Sequence, residues 1–396
     1  MEDTLTNLFK IYGFTITIEN PIISPSVTTY NFNLATGTRL SAVNSVISDI
    51  ARDAGLPSIR IVNNKGQLYL EVPNDRQLTV EFRDLIEETG FEQSKPYELL
   101  LGIDTFGSMA FADLRKLPHL LIGGSTGSGK SVGIHMLINS LLKKNSPETL
   151  QLMLIDPKKT ELSMYNGLPH LISEVVTELD TTSLALKWAV EEMESRYKRM
   201  QEHDTRDMLK DMPVILIVID EMADLMLSGD SDIETNLIRL VQKARACGIH
   251  IIAATQRPSR EVVTGLIKAN LPARLAYRTA SLIDSQVILD SRGAETLLGK
   301  GDSLYYHIGG MRRVQAAFIS DDYLMELIDS YKEKYKRVNT LLHFKRVEEQ
   351  NFNVKKKKKV DKVLLALLAF LCYSVYKMVI AGLKFAFAPV RTKKRR

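Results

Sequence analysis

The chain has 396 residues, 45% of them hydrophobic and 25% charged, which gives room for two or three domains and excludes a disordered or fibrous chain. Its two cysteines, Cys247 and Cys372, lie far apart and outside any Cys-x-x-Cys pair, which excludes a disulfide framework and fits a reducing compartment. The net charge of +5 is uneven: residues 355–396 hold thirteen Lys/Arg against Asp361, a tail at +12 that leaves −7 for the rest, so overall basicity says nothing about nucleic-acid binding by the body.

Residues 1–95 read as a small α+β unit. Met1–Lys10 is short, polar and acidic at its start, unlike a signal peptide. Phe14–Glu19 and Val27–Leu34 alternate as strands do, and Ser41–Ala54 carries helical spacing at Val43, Val46, Ile47 and Ile50. Ile59–Val62 and Leu68–Val72 flank Asn63-Asn-Lys-Gly66, a hairpin-type turn. Residues 96–338 read as one α/β domain. Four apolar runs, His119–Gly123, Leu150–Ile155, Val214–Ile219 and Ile249–Ala253, suit central strands of a parallel sheet buried on both faces. Ser183–Lys210 reads as a helix whose stripe of Leu186, Val190, Met193, Tyr197 and Met200 is core packing. Residues 339–396 form a linker, a run of five lysines and an apolar segment, 363–388.

Gly124-Ser-Thr-Gly-Ser-Gly-Lys-Ser131 fits G-x-x-x-x-G-K-S, follows a predicted strand and opens a predicted helix, Val132–Lys143. Glycines let the backbone curl so that N–H groups point at phosphate oxygens, and the helix start favours the anion. Lys130 reaches the β- and γ-phosphates of ATP in this reading, and Ser131 holds Mg²⁺. Val214–Ile219 then delivers Asp220 and Glu221 at a strand end, as a Walker B motif does: Asp220 for the metal, Glu221 to orient or activate water. Gln256 ends the next strand, either as a contact to the γ-phosphate or water or as a strand cap. Asp156-Pro-Lys-Lys159 reads equally as a structural turn or a nucleotide contact.

Together these segments resemble the FtsK/SpoIIIE family of bacterial DNA translocases. The match runs through Pro118–Ser131, Leu154–Lys159, Ile219–Leu225, Ala244–Ser259, Lys268–Arg274 and Gly293–Asp302, and through Ser24–Tyr30 and Glu71–Asn74 in the small unit, over roughly residues 5–338. The resemblance implies a RecA-like P-loop fold, a homo-oligomeric, hexameric ring around double-stranded DNA, and translocation driven by ATP hydrolysis. It also implies an arginine finger acting on a neighbour's nucleotide, with Arg274 the first candidate and Arg245 the second, and a structural ion pair as the alternative at both. Asp284-Ser-Gln286 stands where the family has Asp-Ser-Arg, so that arginine's role has no bearer here. The large members carry N-terminal membrane spans and a C-terminal winged helix. The expectation here is a short form without them, encoded by a mobile element, plasmid or phage.

DNA contacts are expected to be independent of sequence, with Arg292, Lys300, Arg312 and Arg313 as candidates for pore or interface contacts or as plain surface charges. Val363–Leu383 has the length of a bilayer-spanning helix, about 20 residues, and only Lys377 interrupts it. With basic flanks it reads as a membrane attachment, spanning or interfacial, and otherwise as a partner- or DNA-binding tail. The expected location is the bacterial cytoplasm, at the cytoplasmic membrane. The competing functions are a conjugative coupling or DNA-packaging ATPase and a nucleotide-binding DNA scaffold that does not translocate.

Overall fold

The computed structural model describes residues 1–117, 119–337 and 341–344. The apolar and basic tail, 363–388 included, lies outside the described residues. Met1–Phe344 forms one unit containing two sheets.

The first sheet is antiparallel. Helix α1 (Glu2–Ile11) precedes β1 (Ile16–Ile23), β2 (Val27–Leu34), α2 (Leu40–Asp53), β3 (Arg60–Asn64) and β4 (Gln67–Pro73), with strand order β1-β2-β4-β3. Leu5 and Phe9 of α1 and Ile50 of α2 pack on Phe32 and Leu70, all fully buried. Each such apolar side chain contributes about 1.5–3 kcal/mol of transfer free energy. β1 runs past its expected end at Glu19 because a bulge between Glu19 and Ile22 accommodates Asn20 at φ 52° and then Pro21.

The chain then makes α3 (Phe82–Glu87), α4 (Thr89–Glu92), β5 (Glu98–Asp104), β6 (Met109–Asp113), β7 (His119–Gly123) and α5 (Lys130–Leu142). β8 (Leu150–Ile155), α6 (Leu179–Glu202), β9 (Val214–Ile219), α7 (Met222–Met226), α8 (Ser231–Lys243) and β10 (Ile249–Thr255) follow. The last elements are α9 (Gly265–Asn270), β11 (Ala273–Tyr277), α10 (Leu282–Leu289), β12 (Asp302–His307), β13 (Gly310–Gln315) and α11 (Asp321–Lys334).

Nine of these strands form one sheet in the order β6-β5-β13-β12-β11-β7-β10-β9-β8. β11, β7, β10, β9 and β8 are parallel, and the remaining four add antiparallel. The apolar runs are continuous because both faces are covered. Leu216 and Val218 of β9 join a core with α5 and α11, whereas Ile215, Ile217 and Ile219 join a second core with α6 and α8.

Helix α6 starts four residues before the expected Ser183 and stops at Glu202 instead of Lys210. Asp204 turns left-handed at φ 49°, and Thr205 N–H closes the end on the Met200 carbonyl at 3.0 Å. The two sheets meet through buried charge. Arg313 of β13 makes a two-pronged bond to Asp302 at 2.9 and 2.7 Å and lies 3.6 Å from Glu71 of β4, with all three side chains at most 3% exposed. This corrects the reading of Arg313 as a pore contact, because its guanidinium is consumed inside the junction. Arg292, Lys300 and Arg312 are exposed.

Candidate nucleotide site

Parallel register brings three strand ends together. Thr255 of β10 pairs with Gly123 of β7, and Ala253 of β10 with Ile219 of β9, so the residues following each strand converge. Gly124–Gly129 forms the turn from β7 into α5. The Gly124 and Ser125 amides donate to the carbonyls of Thr255 and Arg278, at 3.3 and 2.9 Å, and anchor its start. Gly129 caps α5 at φ 100°, and a Cβ there would lie 2.4 Å from the Gly301 nitrogen. Only glycine satisfies both constraints. The amides in the first turn of α5 have no acceptor within the helix, and the helix start favours an anion.

Lys130, the first residue of α5, points at β9. Its Nζ donates to Asp220 Oδ1 and to the Asp220 carbonyl, each at 2.9 Å, and both side chains are buried. Asp220 Oδ2 is also buried and has no hydrogen-bond partner. An orphaned carboxylate oxygen on the partner of Lys130, the residue before the P-loop serine Ser131, suits a divalent cation. Among the described residues no group of three or more His, Cys, Asp or Glu is set to hold a metal alone. An ion here would take its other ligands from phosphate and water, the habit of magnesium.

Glu221 is fully buried at the start of α7. Thr255 donates its hydroxyl at 2.7 Å, Lys158 Nζ bonds at 3.0 Å, and the amides of Gln256 and Ala223 donate at 3.1 and 3.3 Å. Burial alone would raise the pKa of this carboxyl. The Thr255, Lys158 and Gln256 bonds and the Lys158 charge outweigh it and hold the pKa below the ordinary carboxylate value. Gln256 also accepts from the Thr126 hydroxyl at 3.1 Å, which ties the end of β10 to the P-loop.

Asp156–Lys159 forms the structural turn that the sequence allowed, and the turn carries a lysine into the site. Asp156 is a turn residue: its Oδ2 accepts from the Glu161 and Leu162 amides at 3.0 and 2.9 Å. Lys158 reaches the site, a contact that spacing could not show because Glu221 lies 63 residues away. Glu161 was not legible either. Burial and the negative charge of Asp220 push its pKa up, against a Ser131 hydroxyl bond and the Lys130 charge, which places its carboxyl beside the serine.

The two candidate finger arginines differ. Arg274, in β11, is buried and ion-paired with Asp290, which Lys268 also holds at 2.6 Å, and its guanidinium lies 5.6 Å from the Tyr306 ring centroid. Arg245 is exposed. It lines a cavity of about 590 Å³ with Arg115 and Arg206, at the starts of β9 and β10, the opposite end of the sheet from the P-loop. A second cavity, about 780 Å³, is lined by Gly127, Gly129 and Val132 together with residues 76–81, 300–301 and 315–318.

Residues 81–211 and 208–260 match the model of the FtsK/SpoIIIE family, and residues 1–74 that of the FtsK alpha domain. The chain belongs to the FtsK/SpoIIIE family. Its relatives include proteins named DNA translocase FtsK. That of Lactiplantibacillus plantarum is 43% identical over 350 residues, covering 83% of this chain and 44% of the relative. That of Caldanaerobacter subterraneus subsp. tengcongensis is 42% identical over 350 residues, covering 85% and 49%. The chain thus spans less than half the length of these FtsK relatives. Among solved structures, the pCW3 conjugation coupling protein TcpA, determined with ATPgS, matches at a TM-score of 0.58 and 22% identity, over 83% of this chain and 98% of that one. The cytoplasmic domain of the Thermomonospora curvata type VII secretion ATPase EccC matches at 0.59 and 21%, over 67% and 36%. At these identities the likeness is one of fold: an FtsK/SpoIIIE P-loop domain of mixed α/β build, preceded by the FtsK alpha domain.

Proposed function

We propose that this chain is the motor of an ATP-driven, double-stranded-DNA translocase. The supporting observation is the state of Glu221: a buried, ionised carboxylate held next to an intact P-loop, which a passive nucleotide-binding scaffold has no need to maintain. Lys130 exchanges Asp220 for the terminal phosphates, and Ser131 and Asp220 hold Mg²⁺, which supplies positive charge to the phosphate oxygens when bound. Glu221 aligns the attacking water and takes its proton, and Gln256 orients the γ-phosphate from the Thr126 side. The 780 Å³ cavity beside Gly127 and Gly129 takes the nucleoside.

In a homohexamer, Arg245 serves a neighbour's nucleotide. Its exposure, and its place at the opposite end of the sheet's strands from its own P-loop, support it over Arg274, whose charge Asp290 already satisfies. Arg292, Lys300 and Arg312 contact DNA phosphates, and binding is independent of base sequence. The C-terminal segment, through its apolar run 363–388, attaches the motor to the bacterial cytoplasmic membrane, a reading supported by the basic flanks on either side of that run. Among the described residues no helix is long and apolar enough to cross a membrane.

The test is ATP-dependent displacement of a triplex-forming strand from linear duplex DNA by protein ending at Asn353. Displacement that stops without ATP is the expected result. ATP hydrolysis stimulated by DNA with no displacement would replace translocation on duplex by the coupling or scaffold function.

A further inference from the structure

Five donor contacts crowd the Glu221 carboxylate. Oε1 accepts from the Thr255 hydroxyl and from the Ala223 and Gln256 amides, and Oε2 accepts from the Gln256 amide and Lys158 Nζ. These five contacts come from four donors, because the Gln256 amide is shared between the two oxygens. Four of the contacts come from the backbone or a short side chain on β10 and α7, and they cannot choose where the carboxylate points independently of those elements. Lys158 differs. It is the partner with a full positive charge, it comes from β8 on the far side of β9, and its side chain is one-third exposed while Glu221 is at 0%.

The turn that carries Lys158 is fixed. Asp156 is fully buried, its amide donates to the Val176 carbonyl at 2.9 Å, and its Oδ2 takes two amides from Glu161 and Leu162. Lys159, at φ 61°, closes the turn and directs its own ammonium away, onto exposed Glu178. The two adjacent lysines are therefore sorted, one to the surface and one to the hydrolytic carboxylate.

We infer that Lys158 is a positioning residue for hydrolysis, which holds Glu221 in the orientation that receives the attacking water. This rests on Glu221 acting on that water. Lys158 pulls on Oε2 from the β8 side against Thr255 on Oε1, and a carboxylate drawn from two sides has one orientation. Without Lys158, Glu221 keeps its three neutral donors, so the fold survives while the carboxylate swings toward β10. A displacement of about 1 Å at such a group lowers a rate by about 10²-fold.

The test compares Lys158→Met, Lys158→Arg and Glu221→Gln in the full chain, by steady-state ATP turnover with saturating duplex DNA and by binding of a fluorescent ATP analogue. The expected result is a kcat lowered 10- to 100-fold in Lys158→Met, with KM and analogue affinity within about two-fold of the parent, and recovery to within about five-fold in Lys158→Arg. Unchanged kcat in Lys158→Met would overturn the role. So would a loss of analogue affinity as large as the loss of kcat/KM, which would make Lys158 a phosphate ligand. A kcat as low in Lys158→Arg as in Lys158→Met would also overturn it. Glu221→Gln separates the two layers: an inactive Glu221→Gln beside a fully active Lys158→Met removes only Lys158, whereas an active Glu221→Gln removes the reading of Glu221 itself.

Discussion

Lys130 and Asp220 are each other's counter-ion, at 3% and 1% exposure, so neither can be changed in isolation. Removing one partner of a buried pair leaves an uncompensated charge and costs about 3–5 kcal/mol. Lys130→Ala is therefore expected to do two things: lower ATP turnover about 10²-fold or more, and lower the melting temperature of the nucleotide-free protein. Adding Asp220→Asn is expected to restore most of the melting temperature and none of the turnover. Calorimetry and phosphate release on Lys130→Ala, Asp220→Asn and the double variant check this, and additive melting shifts would show that the pair is not coupled. Lys130, Ser131, Asp220 and Glu221 were legible in the sequence because each sits in a motif whose chemistry demands that residue. The bond of Lys158 to Glu221 and the place of Glu161 beside Ser131 were not, because each joins residues distant in sequence.

At the scale of elements, the strands predicted most closely are β7, β8 and β9, each a short apolar run covered on both faces. β11, β12 and β13 escaped the reading because each carries a charged residue inside a short span. Arg274 and Arg313 interrupt the apolar signal in sequence, yet in space they are neutralised by Asp290 and Asp302. The Asp302–Arg313–Glu71 junction makes a sharp prediction. Arg313→Met leaves buried Asp302 without its cationic partner and Glu71 with Arg60 alone, at 3.5 Å, and should cost about 3–5 kcal/mol in urea unfolding, whereas exposed Arg312→Met should stay within about 0.5 kcal/mol. Equal effects would mean that the junction is not a structural ion pair. The same stretch reaches the P-loop, since Gly301 N–H donates to the Ser128 carbonyl at 2.9 Å and Gln77 bridges Gly299 and Gln315.

At the scale of the whole molecule, three of the four buried histidines among the described residues lower stability in acid. Burial first, with His250 nearby, lowers the pKa of His119 to about 3. Burial lowers that of His135 to about 4 against the charges of Asp321 and Asp156, and that of His170 to about 4 against its bond to the Asn145 carbonyl. In the unfolded chain these groups take up protons near 6.5, so between about pH 6.5 and 4 the unfolded state binds more protons. Stability contributed by neutral burial is then full above 6.5 and falls as pH drops, by at most about 1.4 kcal/mol per pH unit for each histidine. Below about 4.5, protonation of Glu221 in the unfolded chain adds to the loss. The urea midpoint is expected to decline steadily from pH 7 to 4, and a flat profile would show that the imidazoles are charged in the fold.

The sequence by itself determined the P-loop and the two acidic residues after β9, the parallel centre of the sheet, and the family. These depend on local constraints: a glycine where φ is positive, an apolar run where both faces are buried, a carboxylate where a strand ends. Only the tertiary structure decided which charges face the site and which are consumed in the core. Arg274 and Arg313 carry the same charge as Arg245 and Arg312, and nothing along the chain separates them. The separation comes from the partners that folding places beside them, Asp290 and Asp302, and a pairing between residues distant in sequence follows from register and packing, which no window of the chain contains.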